Sequence, residues 1–266
     1  MDLQLKGRVA VVTGGSSGIG KAIAMSLASE GATVVTVSRG AATAEAAAQE
    51  IRDATGSEVH VFTGDTGKDA IVADLRAFLK ERCGRADILV NCAAEPAGQG
   101  VDPTVEDVTY DQLERQMNVK VMGYLRAAQA VIPLMREGGF GRIISISGMG
   151  ARKAGDAVGS IRNISVVALG KNLAEDLQGT GITSVVLHPG YTKTDKVEAL
   201  IARRAGEEAR SEAEIEAQLA GGNLSGFLPT PADVGAIAAF VASPLSRAIN
   251  GDVIACAGGA KTAIYI

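Results

Sequence analysis

The chain has no tryptophan, and aromatics make up only 3% of its 266 residues. Single-stranded nucleic acid is bound by stacking bases on aromatic rings, and duplexes are gripped by clustered positive charge. With few rings, a formal net charge of −4 and an isoelectric point near 5.4, neither device is available, so no nucleic-acid partner is expected. Cysteine is scarce as well. Cys83, Cys92 and Cys256 are odd in number, far apart and outside any Cys-x-x-Cys or Cys/His ligand spacing. That argues against a disulfide frame and a zinc site and leaves three small buried hydrophobes; no metal is expected. Long apolar runs are missing too. The opening "MDLQLKGRVAVVTGG" has a short apolar run before Thr13 and no basic leader, which fits neither a signal peptide nor a membrane span. A cytoplasmic protein without a membrane partner is the expectation.

What is present is apolar patterning, 47% of the chain against 21% charged, enough for a sizeable core. Short β-branched runs, "RVAVVT", "ATVVTVS", "EVHVF", "DILVN", "GRIISIS", "ITSVVL" and "GDVIAC", alternate with stretches whose apolar residues recur three or four apart. Such alternation implies parallel strands joined by crossover helices. Runs that are apolar throughout, rather than at every second residue, belong to a sheet covered on both faces. The expected fold is therefore a doubly wound α/β domain spanning 1–266, with a mostly parallel seven-stranded sheet and helices on both faces. No repeat and no Pro/Ser-rich linker divides it. The charged segment 192–228 interrupts the rhythm before "TPAD", a helix start. It reads as a helical lid over the strand ends or, equally, as a solvated helix pair; ligands of open α/β sheets sit outside the carboxyl ends of the strands.

The most informative stretch is "VAVVTGGSSGIGKAIAMSLASEG". A strand runs into Thr13, a turn holds Gly14, Gly15, Ser16, Ser17 and Gly18, and a helix begins near Ile19 and Gly20. Glycines permit tight turning and close backbone approach, and free N–H groups at a helix start favour a pyrophosphate. The spacing Gly-x3-Gly-x-Gly resembles the "TGxxxGxG" turn of the short-chain dehydrogenase/reductase family. Further marks of that family follow in order: "NCAA" (Asn91 to Ala94) is similar to its "NNAG", Asn118 in "QMNVKVMG" to its helix asparagine, and "HPGYTKT" to its "PGxxxT". The resemblance covers essentially the whole chain. It implies a Rossmann fold, a nicotinamide dinucleotide, oxidoreduction of an alcohol or carbonyl, and frequently a homotetramer. By the same resemblance the cofactor would be held by Gly14, Ser16, Ser17, Gly18, Ile19, Gly20, Asn91, Ala93, Asn163, Pro189, Gly190, Thr192 and Thr194, with Asp65 and Thr66 beside the adenine. The family's selector lies just after the second strand, where an acid would bind the ribose hydroxyls and repel a 2′-phosphate. Here Ser38 and Arg39 stand there, and a guanidinium can fork onto a phosphate, so NADP(H) is favoured over NAD(H).

Chemistry is where the pattern departs. The family protonates its alkoxide with a tyrosine activated by a lysine four residues later, aided by an upstream serine and the helix asparagine, here Asn118. Aligning "LAEDL" with the family's "LAxEL" puts Gly159 at the tyrosine and Asn163 at the lysine, and no tyrosine among Tyr110, Tyr124, Tyr191 and Tyr265 has lysine at i+4. Gly148 takes the serine's position, with Ser147 one residue early. Asn163 can donate a hydrogen bond to the nicotinamide ribose but brings no charge. Tyr191, directly after "PG", is a substitute donor or an aromatic wall. His188 reads as a packed structural histidine, and Arg152, Lys153 and Arg162 as surface or interface charges. Gly159 opens room for a bulkier substrate or one that brings its own acid. Three functions compete: an NADP(H)-dependent oxidoreductase acting on a small or medium apolar alcohol or ketone through an altered or missing proton relay; a catalytically degenerate NADP(H)-binding protein that senses or binds a partner; and a structural subunit without nucleotide. The helix 157–177 offers Val158, Ile161, Val166, Leu169 and Leu173 to a second subunit or to the sheet, and the C-terminal "GGAKTAIYI" is apolar enough to dock on a neighbour.

Overall fold

The structure, a computed structural model, describes residues 1–95 and 104–261. Seven strands, β1 (Val9–Thr13), β2 (Thr33–Ser38), β3 (Val59–Thr63), β4 (Ile88–Asn91), β5 (Gly141–Ile146), β6 (Ile182–Pro189) and β7 (Val253–Cys256), form one sheet in the order β3-β2-β1-β4-β5-β6-β7. Every neighbouring pair is parallel. All seven strand runs expected from the sequence are found.

Why the strands are apolar throughout is visible along β1. Ala10 and Val12 join a core layer with α1 (Gly18–Ser29) and α9 (Pro231–Ala242), through Ile23, Leu27, Val234 and Ala238. Val9 and Val11 point the other way, into a layer with α3 (Ile71–Arg82), α5 (Gly123–Gly138) and the far half of α6 (Ala157–Asp176), through Leu75, Leu79, Val131, Leu134 and Leu173. Each alternate side chain is thus buried, on opposite faces, and no strand position is free to be polar for solvent's sake. The remaining helix of the first half, α2 (Ala41–Thr55), covers β2 and β3 with Ala48 and Ile51. The strand order reverses between β1 and β4, whose ends Thr13 and Asn91 are in register, and this is where a crevice forms.

Three local features position the site. Between α4 (Tyr110–Gln116) and α5, residues Met117–Met122 form a π-helical turn. Such a turn carries one more residue than an α turn and shifts the register of side chains after it. The charged segment folds as α7 (Asp195–Glu208) and α8 (Glu212–Ala220), which bury Ile201, Ile215, Ala220 and Leu228 in a small cluster of their own. Its charges are spent locally, in Arg204–Glu208 at 2.6 Å, Arg203–Glu207 at 3.0 Å and Lys193–Glu216 at 2.9 Å. "TPAD" starts α9 as expected: Thr230 accepts from Asp233 N–H while the Asp233 carboxylate accepts from Thr230 N–H.

The apolar stripe of α6 divides. Val166 and Leu173 pack onto the sheet, whereas Ile161 is 46% and Ile164 54% exposed. The C-terminal docking segment lies largely outside the described residues. No helix among the described residues is long and apolar enough to cross a membrane.

Candidate active site

The turn after β1 is made of backbone. Gly14 sits at φ 69°, and a Cβ there would lie 3.0 Å from the Ala93 backbone. A Cβ at Gly20 would lie 2.2 Å from the Gly14 carbonyl, so the turn and the first residues of α1 touch with no room for a side chain. Thr13 Oγ1 accepts from Cys92 N–H at 3.0 Å and Ala93 N–H at 3.2 Å, tying the ends of β1 and β4 together. The start of α1 has no carboxylate in its first turn, and Ser17 at the N-cap makes no side-chain cap bond. Its positive end is therefore available to an anion.

The other expected cofactor residues fall around this turn. Ser38 Oγ is buried at the end of β2 without a hydrogen-bond partner, and exposed Arg39 follows it. Asp65 accepts Gly67 N–H at 2.9 Å in the turn after β3, and Thr66 is buried beside it. Asn91 is fully buried; its amide donates to Tyr124 O and Ser145 Oγ, both at 3.4 Å, and its Oδ1 has no partner. The loop after β6 arches back, with Thr194 3.5 Å from where a Cβ on Gly18 would stand. These residues fit a dinucleotide: a turn with no room for a Cβ at Gly14 or Gly20, an uncapped helix start, and an orphaned hydroxyl ahead of an exposed guanidinium.

Beyond the cradle, a cavity of about 520 Å³ opens between the strand ends and the α7–α8 pair. Ile19, Pro189, Gly190, Thr192 and Thr194 line its cradle side; Val197, Leu200 and Leu219 come from the helical pair; Tyr191, half exposed, stands on the wall. The opposite wall carries Asp156, Arg162 and Asn163.

Gly159 does not open empty space. Asp156 caps α6 by accepting Gly159 N–H at 2.8 Å, and a Cβ on Gly159 would lie 1.9 Å from the other Asp156 oxygen. The room expected beside a bare glycine is taken by the capping carboxylate. Ser147 does not reach the cavity either: its hydroxyl donates to the Asn163 carbonyl at 2.9 Å, and the side chain is buried. Asn118 turns elsewhere, donating to Gly67 O at 3.2 Å and accepting from Arg126 at 2.9 Å.

A residue the sequence reading missed fills the centre. Lys120, in the π turn, is 4% exposed, and its Nζ donates to Asn163 Oδ1 and to Ser147 O, each at 3.0 Å. No carboxylate pairs with it among the described residues. Burial, and secondly the Arg162 guanidinium, push its amine down to about 7. In an α-helical reading of "QMNVKVMG" nothing marked this lysine as inward-facing, and only the π turn and partners 27 and 43 residues away bring it here.

Arg162 corrects an expectation. It is not a surface charge but 6% exposed, donating through Nη1 to Gln116 Oε1 and to Glu95 O. The reason is its place on the inward face of α6 against α4, one residue before Asn163. His188 is buried as expected, with neither ring nitrogen bonded; burial, then Arg152 and Lys120, hold its pKa down at about 4, so it stays neutral near pH 7. Cys92, pushed up to about 11 by burial, stays a thiol, and Tyr124 is sealed in the core with its hydroxyl on Ile146 O at 2.9 Å.

Comparison with known proteins places this geometry in a class. The family model described as enoyl-(acyl carrier protein) reductase matches residues 14–261. The short-chain reductase protein NovJ of Streptomyces niveus is 31% identical over 94% of this chain and 93% of its own. The NADPH-dependent reductase BacG of Bacillus subtilis is 28% identical over 97% and 99%. Among solved structures, L-sorbose reductase from Gluconobacter frateurii, complexed with NADPH and L-sorbose, superposes with a TM-score of 0.91 at 25% identity, covering 99% of this chain and all of that one. The chain belongs to the short-chain dehydrogenase/reductase family; these relatives are reductases, of which BacG is NADPH-dependent and L-sorbose reductase was solved with NADPH.

Proposed function

We propose that the chain is an NADP(H)-dependent oxidoreductase that interconverts a carbonyl and an alcohol without the family's tyrosine–lysine dyad. Asn163 backed by Lys120 serves as its oxyanion site. The observation that carries this is the 3.0 Å hydrogen bond from Lys120 Nζ to Asn163 Oδ1 at the cavity wall. NADP(H) is supported by the orphaned Ser38 hydroxyl ahead of Arg39 and by the NADPH-dependent relatives. In this reading the dinucleotide supplies or takes the hydride. The cradle from Gly14 to Gly20 holds its pyrophosphate, and Thr192 and Thr194 close over it.

With Oδ1 committed to Lys120, the Asn163 amide presents its Nδ2 donors away from that bond, toward Gly148 and Gly150. A Cβ on Gly150 would stand 2.9 Å from Nδ2, so the glycine keeps that side open. A donor polarised by an ammonium behind it stabilises charge developing on a substrate oxygen. One such donor is worth about 10²–10³ in rate, the same order as the general acid it replaces. Tyr191 on the cavity wall is the chain's own hydroxyl for delivering the proton. We read 1–266 as one nucleotide-binding unit, 192–228 as its lid, the compartment as cytoplasm and the assembly as a homotetramer.

The test is direct: NADPH binding followed by fluorescence, and NADPH oxidation with a panel of carbonyl compounds, for the wild type and for Lys120→Met and Asn163→Ala. Binding with turnover that both variants lower supports the reading. If neither NADPH nor NADH binds, the reading fails. Tight binding without turnover would favour the second reading, a nucleotide-binding sensor; its motive is that Ser147 is spent on backbone and Asp156 occupies the space beside Gly159.

A further inference from the structure

We propose that Arg162 is the docking point for a carboxylate on the substrate, which makes the compound turned over an oxo acid or hydroxy acid rather than a neutral apolar one. The inference rests on the cavity being the substrate site, as read above, and adds the substrate's charge.

Among the described residues, the hydrogen bonds of Arg162 leave from Nη1, to Gln116 Oε1 and Glu95 O, two neutral acceptors. Its Nε is buried with no partner. The Nε–Nη2 edge is the one that takes a carboxylate side-on through two parallel N–H bonds. No ion pair to Arg162 exists among the described residues, although the side chain is 94% buried by its 6% exposure. Asp156 acts on the guanidinium through space without an ion pair, and a guanidinium withdrawn from water without a hydrogen-bonded anion is costly.

The surroundings agree. Lys153 and Lys196, both exposed, line the same cavity, and Asp156 is its one acidic lining residue. That carboxylate is already bound to the start of α6 through Gly159 N–H. Lys120 adds charge one layer behind Asn163. Among the described residues the cavity therefore presents three cationic side chains and one engaged carboxylate, and the two exposed lysines can draw an anion in. Because Arg162 and Asn163 line the same cavity, a carboxylate held by the guanidinium leaves a carbonyl elsewhere in the same molecule free to meet the Asn163 amide. The cofactor's phosphates are not the occupant, since their cradle is the start of α1 on the other side of the cavity.

The experiment uses the full chain saturated with NADP⁺ and matched pairs of probes that differ only in charge: 4-oxopentanoate and 4-oxo-4-phenylbutanoate against their methyl esters. Binding is read by calorimetry, and NADPH affinity is measured separately by fluorescence. The expected result is that the acids bind more tightly than the esters, that Arg162→Gln weakens the acids by about tenfold or more and leaves the esters unchanged, and that Arg162→Lys falls between. NADPH affinity should hold in all three proteins. Esters that bind as well as acids, or acids that do not bind at all to a protein that binds NADPH, overturn the proposal while leaving the reductase reading intact; loss of NADPH binding in the wild type removes both. If Arg162→Gln fails to fold, the rim variant Lys196→Gln, at an exposed position, should lower acid affinity by about twofold, and the wild-type acid-to-ester ratio still decides.

Discussion

The turn after β1 is built from the backbone of one continuous stretch, Thr13 to Gly20, while the opposite cavity wall is built from side chains: Arg162 and Asn163 in α6 line it, and Lys120 in the π turn and Ser147 after β5 hold Asn163 from behind. The first region accepts almost any side chain that points away and almost no added Cβ. The second keeps its backbone and is free to exchange chemistry. In the function proposed above, that contrast lets the glycine turn persist while Gly148, Gly159 and Asn163 take the places the resemblance gives to the serine, tyrosine and lysine.

The comparison breaks most sharply at Gly20. Gly20→Val drives a side chain into the Gly14 carbonyl, 2.2 Å from where even its Cβ must sit. It should abolish NADPH binding and lower stability by about 1–3 kcal/mol or more, read by fluorescence titration and thermal melting. A retained affinity would mean the turn is not the cradle.

Restoring the family dyad should fail for a reason the wall itself supplies. Gly159→Tyr displaces the Asp156 cap, worth about 1 kcal/mol, and Asn163→Lys sets a second ammonium against Lys120 in a buried place, costing about 3–5 kcal/mol. The double variant should melt well below the wild type and gain no reductase rate. Adding Lys120→Met should recover part of the loss. A stable, faster double variant would show that Lys120 can leave.

Lys120→Met alone should reduce kcat by about 10²–10³ with a smaller effect on NADPH affinity, since it removes the charge behind Asn163 but not the cradle. It should also change the pH dependence of stability. The folded-state amine, at about 7 against 10.5 for a free one, binds fewer protons than the unfolded chain between those values. Stability therefore rises with pH across that window and is lowest below it. Melting curves from pH 6 to 10 should show that rise in the wild type and a shallower one in the variant. The smallest effect is expected at the rim of the cradle. Arg39→Ala should weaken NADPH by about tenfold, leave NADH unchanged and not move the melting point, because the side chain is exposed and bears on the phosphate alone.

Much of the fold was legible beforehand because its signals are local. Strand runs such as "VAVVT" are apolar at every residue because β1 is covered on both faces, and "TPAD" carries its cap within four residues. The tight glycine turn after β1 was legible for the same reason. Arg162 was misread as a surface charge because charge alone predicts exposure; its burial depends on Gln116 and Glu95, 46 and 67 residues away. Lys120 was not seen because it depends on a π turn that no residue pattern announced. Gly159 was read as empty space because its N-cap, Asp156, was not connected to it.

The order of residues along the chain thus determined the sheet, its two covered faces and the glycine turn after β1, since each follows from periodicity or from glycine spacing over a few neighbours. Only the folded chain decided what lines the cavity. Buried cations such as Lys120 and Arg162 are held by carbonyls and amides that arrive from distant segments, and hydrogen bonds in a low-dielectric interior depend on the placement of those partners, which sequence adjacency does not encode.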